Sequence, residues 1–427
     1  MAEFIGNYES LIRKVRGSAG DGTSGAGDTN SAGEAGSAKV IRYFCVRCEH
    51  EFIEPAFNKC TECGGAIDAI YDLDQVQIPA EKQGPDPLQH YFSLLPVRER
   101  SSLHWGGEGN TPCFQVPELA SALGIAQLYF KNEAVNPTSS TKDRVASVCL
   151  SRFGELGVRD LVLSSTGNSS TAYARAVSLV PGFTLHIFVG REFVSRLNYA
   201  DHPRIVTHVV DGEFVTAGRV GERFAQDNGF FWEGGFFNLG RREGLKLAYL
   251  EAYDEMQAEP DYVFQAVSSG MGLVGAYKGA VEYRELGRLG KVPSFMAVQQ
   301  ASCSPMAQAF AEDADQIAPR HVVRDPKGLA YAILRGDPTG TYPYIRDLCL
   351  TSGGRILAAG EERIRHARRV LAETVGVDVC FASSTAFAGV LEAAEAGLLA
   401  PDSVVLVNLT GADRPAAQVA TIGRTHA

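Results

Sequence analysis

The chain has 427 residues, long enough for two or three domains and for a buried core that needs no disulfide staple. Lys and Arg number 40 against 50 Asp and Glu, a net charge of −10, which excludes nucleic acid or anionic membrane as a default partner but leaves room for a local basic pocket. Hydrophobic residues make up 45%, yet no apolar run approaches the ~18 residues of a membrane span, and Met1 to Arg16 lacks the apolar core of a secretory signal, so a cytoplasmic protein is expected.

The first predicted element is a short helix in MAEFIGNYESLIRKVR, where Phe4, Ile5, Leu11, Ile12 and Val15 roughly share a face. Gly17 to Lys39 follows with no aromatic and no branched aliphatic residue. Such a stretch cannot bury enough apolar area to offset its ordering entropy, so residues 1–39 read as a short helix and a flexible linker. Composition favours a disordered extension over a tether for a docking helix.

Residues 40–75 carry two C-x2-C hooks, Cys45/Cys48 and Cys60/Cys63. Four thiolates at this spacing can meet one zinc ion tetrahedrally, and a cytosolic setting disfavours disulfides. Gly64 and Gly65 suit the tight turn after the second hook. All four ligands would be sulfur, so this zinc is structural and has no open position for catalysis. The other five of the nine cysteines stand in apolar contexts and read as small core residues.

From Thr111 onward strand and helix signals alternate. LYFKNEA, DLVLSST, TLHIFVG, RIVTHVV, YVFQAVSSG, FMAVQQA and SVVLVNLTG read as strands. TKDRVASVCLSRFGELG, STAYARAVSLV, FVTAGRVGERFAQDNG, LVGAYKGAVEYRELG and AFAGVLEAAEAG read as helices. This order predicts an α/β fold of parallel sheets covered on both faces, with ligands at the carboxyl ends of strands.

Two strand-to-helix turns stand out. Gly270-Met271-Gly272-Leu273-Val-Gly275 matches a dinucleotide loop, but no acidic residue follows between Gly287 and Ala311 to hold a ribose. A Walker A loop is also absent, because Ala276 and Tyr277 follow Gly275. What remains is a helix start that could cradle a phosphate beside Ser268 and Ser269, or a tight packing turn. The second turn is Asn136-Pro-Thr-Ser-Ser-Thr-Lys142-Asp-Arg144. Ser139, Ser140 and Thr141 are good caps, which places Lys142 in the first helical turn. There the helix dipole favours the free amine, as a Schiff-base nucleophile needs, although most lysines simply face solvent.

Several segments, in order, resemble the fold-type-II pyridoxal-phosphate enzymes, most closely the threonine synthase-like family: EGNTP (108–112), KNEAVNPTSSTKDR, SSTGNSS (164–170), GRREG (240–244), SSGMGL (268–273) and VNLTG ending at Gly411. Paired cysteines before the catalytic part also occur in threonine synthases and in cysteate synthase. The resemblance implies two α/β lobes of the tryptophan synthase β-like type behind the zinc ribbon. The large lobe would be 76–145 with 234–427, and the small one 146–233. It implies pyridoxal 5'-phosphate as cofactor and Lys142 as the residue that binds it covalently and shuttles protons. Asn168 would meet the ring oxygen and Thr410 the pyridine nitrogen. Ser268, Ser269, Gly270, Met271, Gly272 and Leu273 would form the phosphate cup. Ser165, Thr166 and Ser169 become candidates for the substrate carboxylate, with plain helix capping as the alternative. Arg241 and Arg335 become candidates for a phosphate leaving group on an amino-acid substrate. Homodimers are common in this group.

The sequence also departs from the family. Ser139 replaces a glycine and Thr141 a phenylalanine, Gly235-Phe236 replaces an Asn-Ser pair that helps hold substrate phosphate, and the last turn reads Thr-Gly-Ala-Asp-Arg. The expectation is intact cofactor machinery with a changed substrate, either by threonine synthase-like chemistry or by β-replacement or β-elimination. A non-catalytic protein on the same fold is disfavoured by Lys142, Asn168 and Thr410.

Overall fold

The computed structural model describes residues 8–16, 39–212, 214–414 and 424–426. Residues 17–38 of the expected linker, and Phe4 and Ile5 of the expected helix face, lie outside the described residues.

The N-terminal sheet holds β1 (Ile41–Cys45), β2 (Glu51–Phe52) and β3 (Ile67–Tyr71), all antiparallel in the order β2-β1-β3. A helix at Tyr8–Val15 lies against it and buries Tyr8, Leu11, Ile12 and Val15. This is the short helix expected before the linker, whereas the choice between a tether and a disordered extension falls on residues 17–38, outside the described residues. The apolar face that the periodicity marked is docked, and Arg16 ties its end to Glu285. The Tyr8 hydroxyl donates to Asp68 of β3, which also accepts from Arg242.

Eleven further strands make two sheets: β4 (Cys113–Gln115), β5 (Gln127–Asn132), β6 (Asp160–Ser164), β7 (Thr184–Gly190), β8 (Ile205–Val210), β9 (Phe231–Trp232), β10 (Tyr262–Ala266), β11 (Ser294–Gln300), β12 (Arg355–Ala359), β13 (Val404–Leu409) and β14 (Arg424–His426). The larger has the order β12-β11-β10-β13-β5-β4, parallel except for β4 at one edge. Its strands are apolar on both sides because both faces are covered. Val263, Phe295, Ala297 and Leu406 enter one core with the helices Leu239–Glu255 and Met271–Glu285. Their neighbours Phe264, Met296, Val298 and Val407 enter another with Phe381–Glu395.

The smaller sheet is parallel throughout, in the order β14-β8-β7-β6-β9. Its last member corrects the expected division, since Arg424–His426 pairs with β8 and so leaves the segment assigned to the large lobe. The sequence reading also passed over the helix Leu239–Glu255, whose residues are buried without a break from Leu239 to Tyr253. A helix covered all round shows no amphipathic period. Among the described residues no helix is long and apolar enough to cross a membrane.

Candidate active site

Three neighbouring parallel strands, β10, β13 and β5, end on the same edge of the larger sheet, and each leads into one of the marked turns. The chain after β5 reaches Lys142, which opens the helix Lys142–Glu155 as expected, with Ser140 Oγ accepting from the Lys142 N–H at 3.1 Å. The chain after β13 runs alongside that turn. Thr141 N donates to the Thr410 carbonyl at 3.0 Å, and Ala412 N to that of Ser139 at 2.9 Å. Ser139, where the resembling family has glycine, holds φ at +56°, the left-handed region that favours glycine.

Lys142 is half-buried as a residue, but the protein crowds its amine. Burial lowers its pKa to about 8, Arg241 adds to the shift, and Glu133 opposes it. The Thr141 hydroxyl beside it is buried and has no hydrogen-bond partner. Asp143 is committed to the turn, accepting from the Thr138 N–H and hydroxyl. Beneath lies a charge network with no exposed member: Arg144 donates to Glu133 and Glu251 at 2.7 Å each, and Lys131 pairs with Glu251 at 2.9 Å. Burial alone would raise the Glu251 carboxyl, but Arg144 and Lys131 hold it well below the usual carboxylate range. EGNTP joins this network, since Thr111 Oγ1 donates to Glu133 and Gly109 N to the Asn136 side chain. These bonds lock the backbone that carries Lys142.

The turn after β10 has the makings of a phosphate cup. Among the described residues, no N–H from Ser268 through Gly272 donates to a protein acceptor. Gly270 has φ +82°, and a Cβ there would stand 2.1 Å from Ile345 Cδ1. Five free donors at the start of a fifteen-residue helix suit an anion. Ser269 is buried and Ser268 half-buried beside them. The Met271 side chain is half-buried, while Leu273 has its side chain in the core and its N–H spent on the Gly270 carbonyl at 3.0 Å, so Leu273 brings no free donor to the expected cup.

The fourth part comes from the smaller sheet, after β6. Ser165 Oγ accepts from Gly167 N at 3.1 Å and Ser170 N at 3.2 Å, so its lone pairs cap the helix Asn168–Leu179, as the capping alternative holds. Thr166 is half-buried at the turn. Asn168 Oδ1 accepts from Arg414 Nη2 at 2.6 Å, which fixes the amide and leaves its N–H groups for another acceptor. Arg414 Nη1 also donates to the Thr138 carbonyl at 2.9 Å, tying this turn to that of Lys142.

Arg241, a candidate for the phosphate leaving group from the sequence, already has an anion beside it. It forms a two-pronged pair with Glu233, and Nη1 goes to Ser169 Oγ at 3.1 Å. Glu233 also accepts from Tyr173, Asn238 and the Gly235 N–H. The charge of Arg241 is therefore balanced inside the protein, and its remaining bond goes to the Ser169 hydroxyl. Arg335, the other arginine named for phosphate, pairs with no carboxylate among the described residues and reaches only the Asp337 carbonyl, at 3.3 Å. Phe236 brings no donor to replace the family's Asn-Ser pair, being buried against Tyr344 with ring centres 5.3 Å apart. Sequence reasoning missed Glu233 and the role of Arg414, neither of which sits in a recurring local pattern.

In the N-terminal sheet the Sγ atoms of Cys45, Cys48, Cys60 and Cys63 all lie within 4.8 Å of one another. Cys45–Cys63 is 3.5 Å and Cys48–Cys60 is 3.6 Å. That is far beyond a covalent bond of about 2.05 Å and near the ~3.8 Å between sulfurs that share a tetrahedral zinc. Of the other five cysteines, Cys149, Cys303 and Cys349 are buried, while Cys113 and Cys380 are half-buried.

The family model described as pyridoxal-phosphate dependent enzyme matches residues 104–411. A threonine synthase from Methanocaldococcus jannaschii is 29% identical over 377 residues, covering 86% of this chain and 91% of that protein. A cysteate synthase from Methanocella paludicola is 29% identical over 387 residues, with 86% and 88% covered. Among solved structures, maize serine racemase superposes with a TM-score of 0.60 at 18% identity, over 72% of this chain and 89% of that one, a likeness of fold.

Proposed function

The chain belongs to the pyridoxal-phosphate dependent enzyme family, and from there we propose that it eliminates or replaces a phosphate-type leaving group on the side chain of an amino acid. The observation that carries this reading is the Lys142 amine, its pKa lowered to about 8 by burial, at an edge shared with five unpartnered N–H groups. Relatives named threonine synthase and cysteate synthase, each matched over most of its length, support it.

The residues fit the cofactor. The N–H groups from Ser268 to Gly272 would hold its phosphate, and the free amide N–H groups of Asn168 its ring oxygen. The Thr410 hydroxyl would meet its ring nitrogen as a neutral partner. Pyridoxal phosphate, when bound, supplies an electron sink that acidifies the Cα–H of an amino acid. Lys142 takes the proton from Cα and returns it, work that suits an amine titrating near neutral pH. Thr166 and Ser169, with the hydroxyl proton of Ser165, orient the substrate carboxylate. The smaller lobe at 146–233, together with Arg424–His426, closes over the larger one at 76–145 and 234–414 to exclude water.

A specific observation keeps β-replacement or β-elimination in view. Arg241 is neutralised by Glu233 and Phe236 offers no donor, so the phosphate position usual for threonine synthase chemistry is weakened. Incubating the holoenzyme with O-phosphohomoserine, O-phosphoserine and O-phosphothreonine tests both readings by phosphate release. Release from the first alone supports threonine synthase chemistry, release from the others alone supports β-chemistry, and release from none overturns the proposal. The four cysteines bind a structural zinc in this reading, and metal analysis showing none would refute that part.

A further inference from the structure

We infer that Arg196 and Arg414 form an anion subsite beside the Gly167–Asn168 turn and receive the anionic side-chain group of the substrate. The inference rests on the proposed function for what the anion is attached to. Its evidence is separate, namely two half-buried guanidinium groups brought to one turn without an ion-pair partner among the described residues.

Arg196 ends the short helical turn Arg191–Arg196 that follows β7. Gly167 has φ +138°, and a Cβ there would stand 3.1 Å from the Arg196 carbonyl oxygen and 3.3 Å from its Cβ, so Arg196 backs the turn directly. Arg414 reaches the same turn from after β13, through its 2.6 Å bond to Asn168 Oδ1. The two guanidinium groups thus approach from different lobes.

Neither is neutralised. Among the described residues no carboxylate lies within ion-pairing distance of Arg196 or Arg414, whereas buried Arg144, Arg241 and Arg242 each hold one. Arg196 Nη1 and Arg414 Nε are buried with no hydrogen-bond partner. The nearby acids are spoken for, with Asp413 taken by Arg368 at 2.8 Å and Asp143 by Thr138. Burial lowers the pKa of both arginines and the Arg196 charge lowers that of Arg414 further, while the more distant Asp413, and Asp143 for Arg414, oppose the shift without reversing it. Tyr331, 61% exposed, stands 6.0 Å from the Arg196 guanidinium and brings the larger lobe to the same mouth.

Cations drawn partly out of water with no ion pair, and with an N–H buried and unbonded, are costly, and the cost falls when an anion enters. The guanidinium fork matches the oxygens of a tetrahedral oxyanion, so the ligand class is a phosphate carried on the substrate side chain. Arg241 cannot serve, because Glu233 already occupies its fork.

The test is equilibrium binding of inorganic phosphate to the holoenzyme, whose cofactor already fills the cup at Ser268–Gly272. Calorimetry would be run on wild type, R196Q, R196K, R414Q and R335Q. Saturable binding is expected, weakened about tenfold or more in R196Q and R414Q, partly recovered in R196K, and unchanged in R335Q. The cofactor absorbance of R196Q and R196K should stay at the wild-type position, which separates anion binding from damage to the cofactor site. No phosphate binding by wild type, unchanged binding in R196Q, or loss confined to R335Q would overturn the subsite. Because this is a binding measurement, it stands even if no phosphorylated amino acid turns over, so the two proposals fail separately.

Discussion

The chemistry of Lys142 depends on how far its surroundings keep the amine from water. Its folded pKa of about 8 lies below the ordinary lysine value of 10.5, so protonation favours the unfolded chain. In the cofactor-free protein the resulting penalty is full below about pH 8 and fades as pH rises toward 10.5. The same shift raises the fraction of free amine at neutral pH by roughly two orders of magnitude. The rate at which the cofactor-free protein captures pyridoxal phosphate should therefore rise with pH to a midpoint near 8, followed by absorbance, and a midpoint above 10 would show the amine to be solvated. Three residues earlier, Ser139 sits at φ +56° with its carbonyl bonded to Ala412 N. Glycine there relieves the left-handed strain but adds freedom to the unfolded chain. We expect S139G to stabilise the protein by about 0.5–1 kcal/mol in denaturant titrations, and destabilisation would mean that the serine hydroxyl matters more than its backbone.

At the scale of elements, the N-terminal helix shows what composition reads well and what it does not. Its apolar spacing was visible, but whether that face finds a partner depends on β3 and the helix Met271–Glu285, far along the chain. Tyr8 is the joint, because its hydroxyl meets an Asp68 that is shared with Arg242 and shut away from water. Tyr8→Phe leaves one oxygen of that carboxylate short of a donor and should cost about 1–3 kcal/mol by chemical denaturation. A change below a few tenths would mean that Arg242 alone satisfies the acid. The same contrast runs through the fold and the site. Strands such as β13 and the turns after β5, β10 and β13 were legible because each carries its signal within a few neighbouring residues. The helix Leu239–Glu255 was hidden by burial on every side, and the Arg414–Asn168 bond joins residues 246 positions apart. No local pattern encodes a partner at that distance, and for the same reason Arg241 seemed free until Glu233 was placed beside it.

For the molecule as a whole, the proposed cofactor contacts come from both sheets. Lys142, Ser268–Gly272 and Thr410 follow strands of the larger one, and Asn168 follows β6 of the smaller. A ligand that binds only the folded state adds stability as RT ln(1 + [L]/Kd), about 2.7 kcal/mol at a hundredfold excess over Kd. Because this ligand would touch both lobes, that stabilisation is lost when either lobe opens, and it should couple their unfolding. Calorimetry of the loaded protein is then expected to show the two lobes melting in one transition. Removing pyridoxal phosphate should lower the melting temperature by several degrees and spread that transition, or split it in two. The Cys45–Cys63 cluster offers an internal comparison, since it reaches the body through other contacts, the Ala66 N–H to the Tyr344 hydroxyl at 2.9 Å and Asp68 to Arg242 at 2.7 Å. Chelation should destabilise the N-terminal sheet and leave the response to pyridoxal phosphate in place, because neither contact uses Lys142, Asn168, Ser268–Gly272 or Thr410. A melting temperature indifferent to pyridoxal phosphate would break the link between the two sheets on which the proposed site depends.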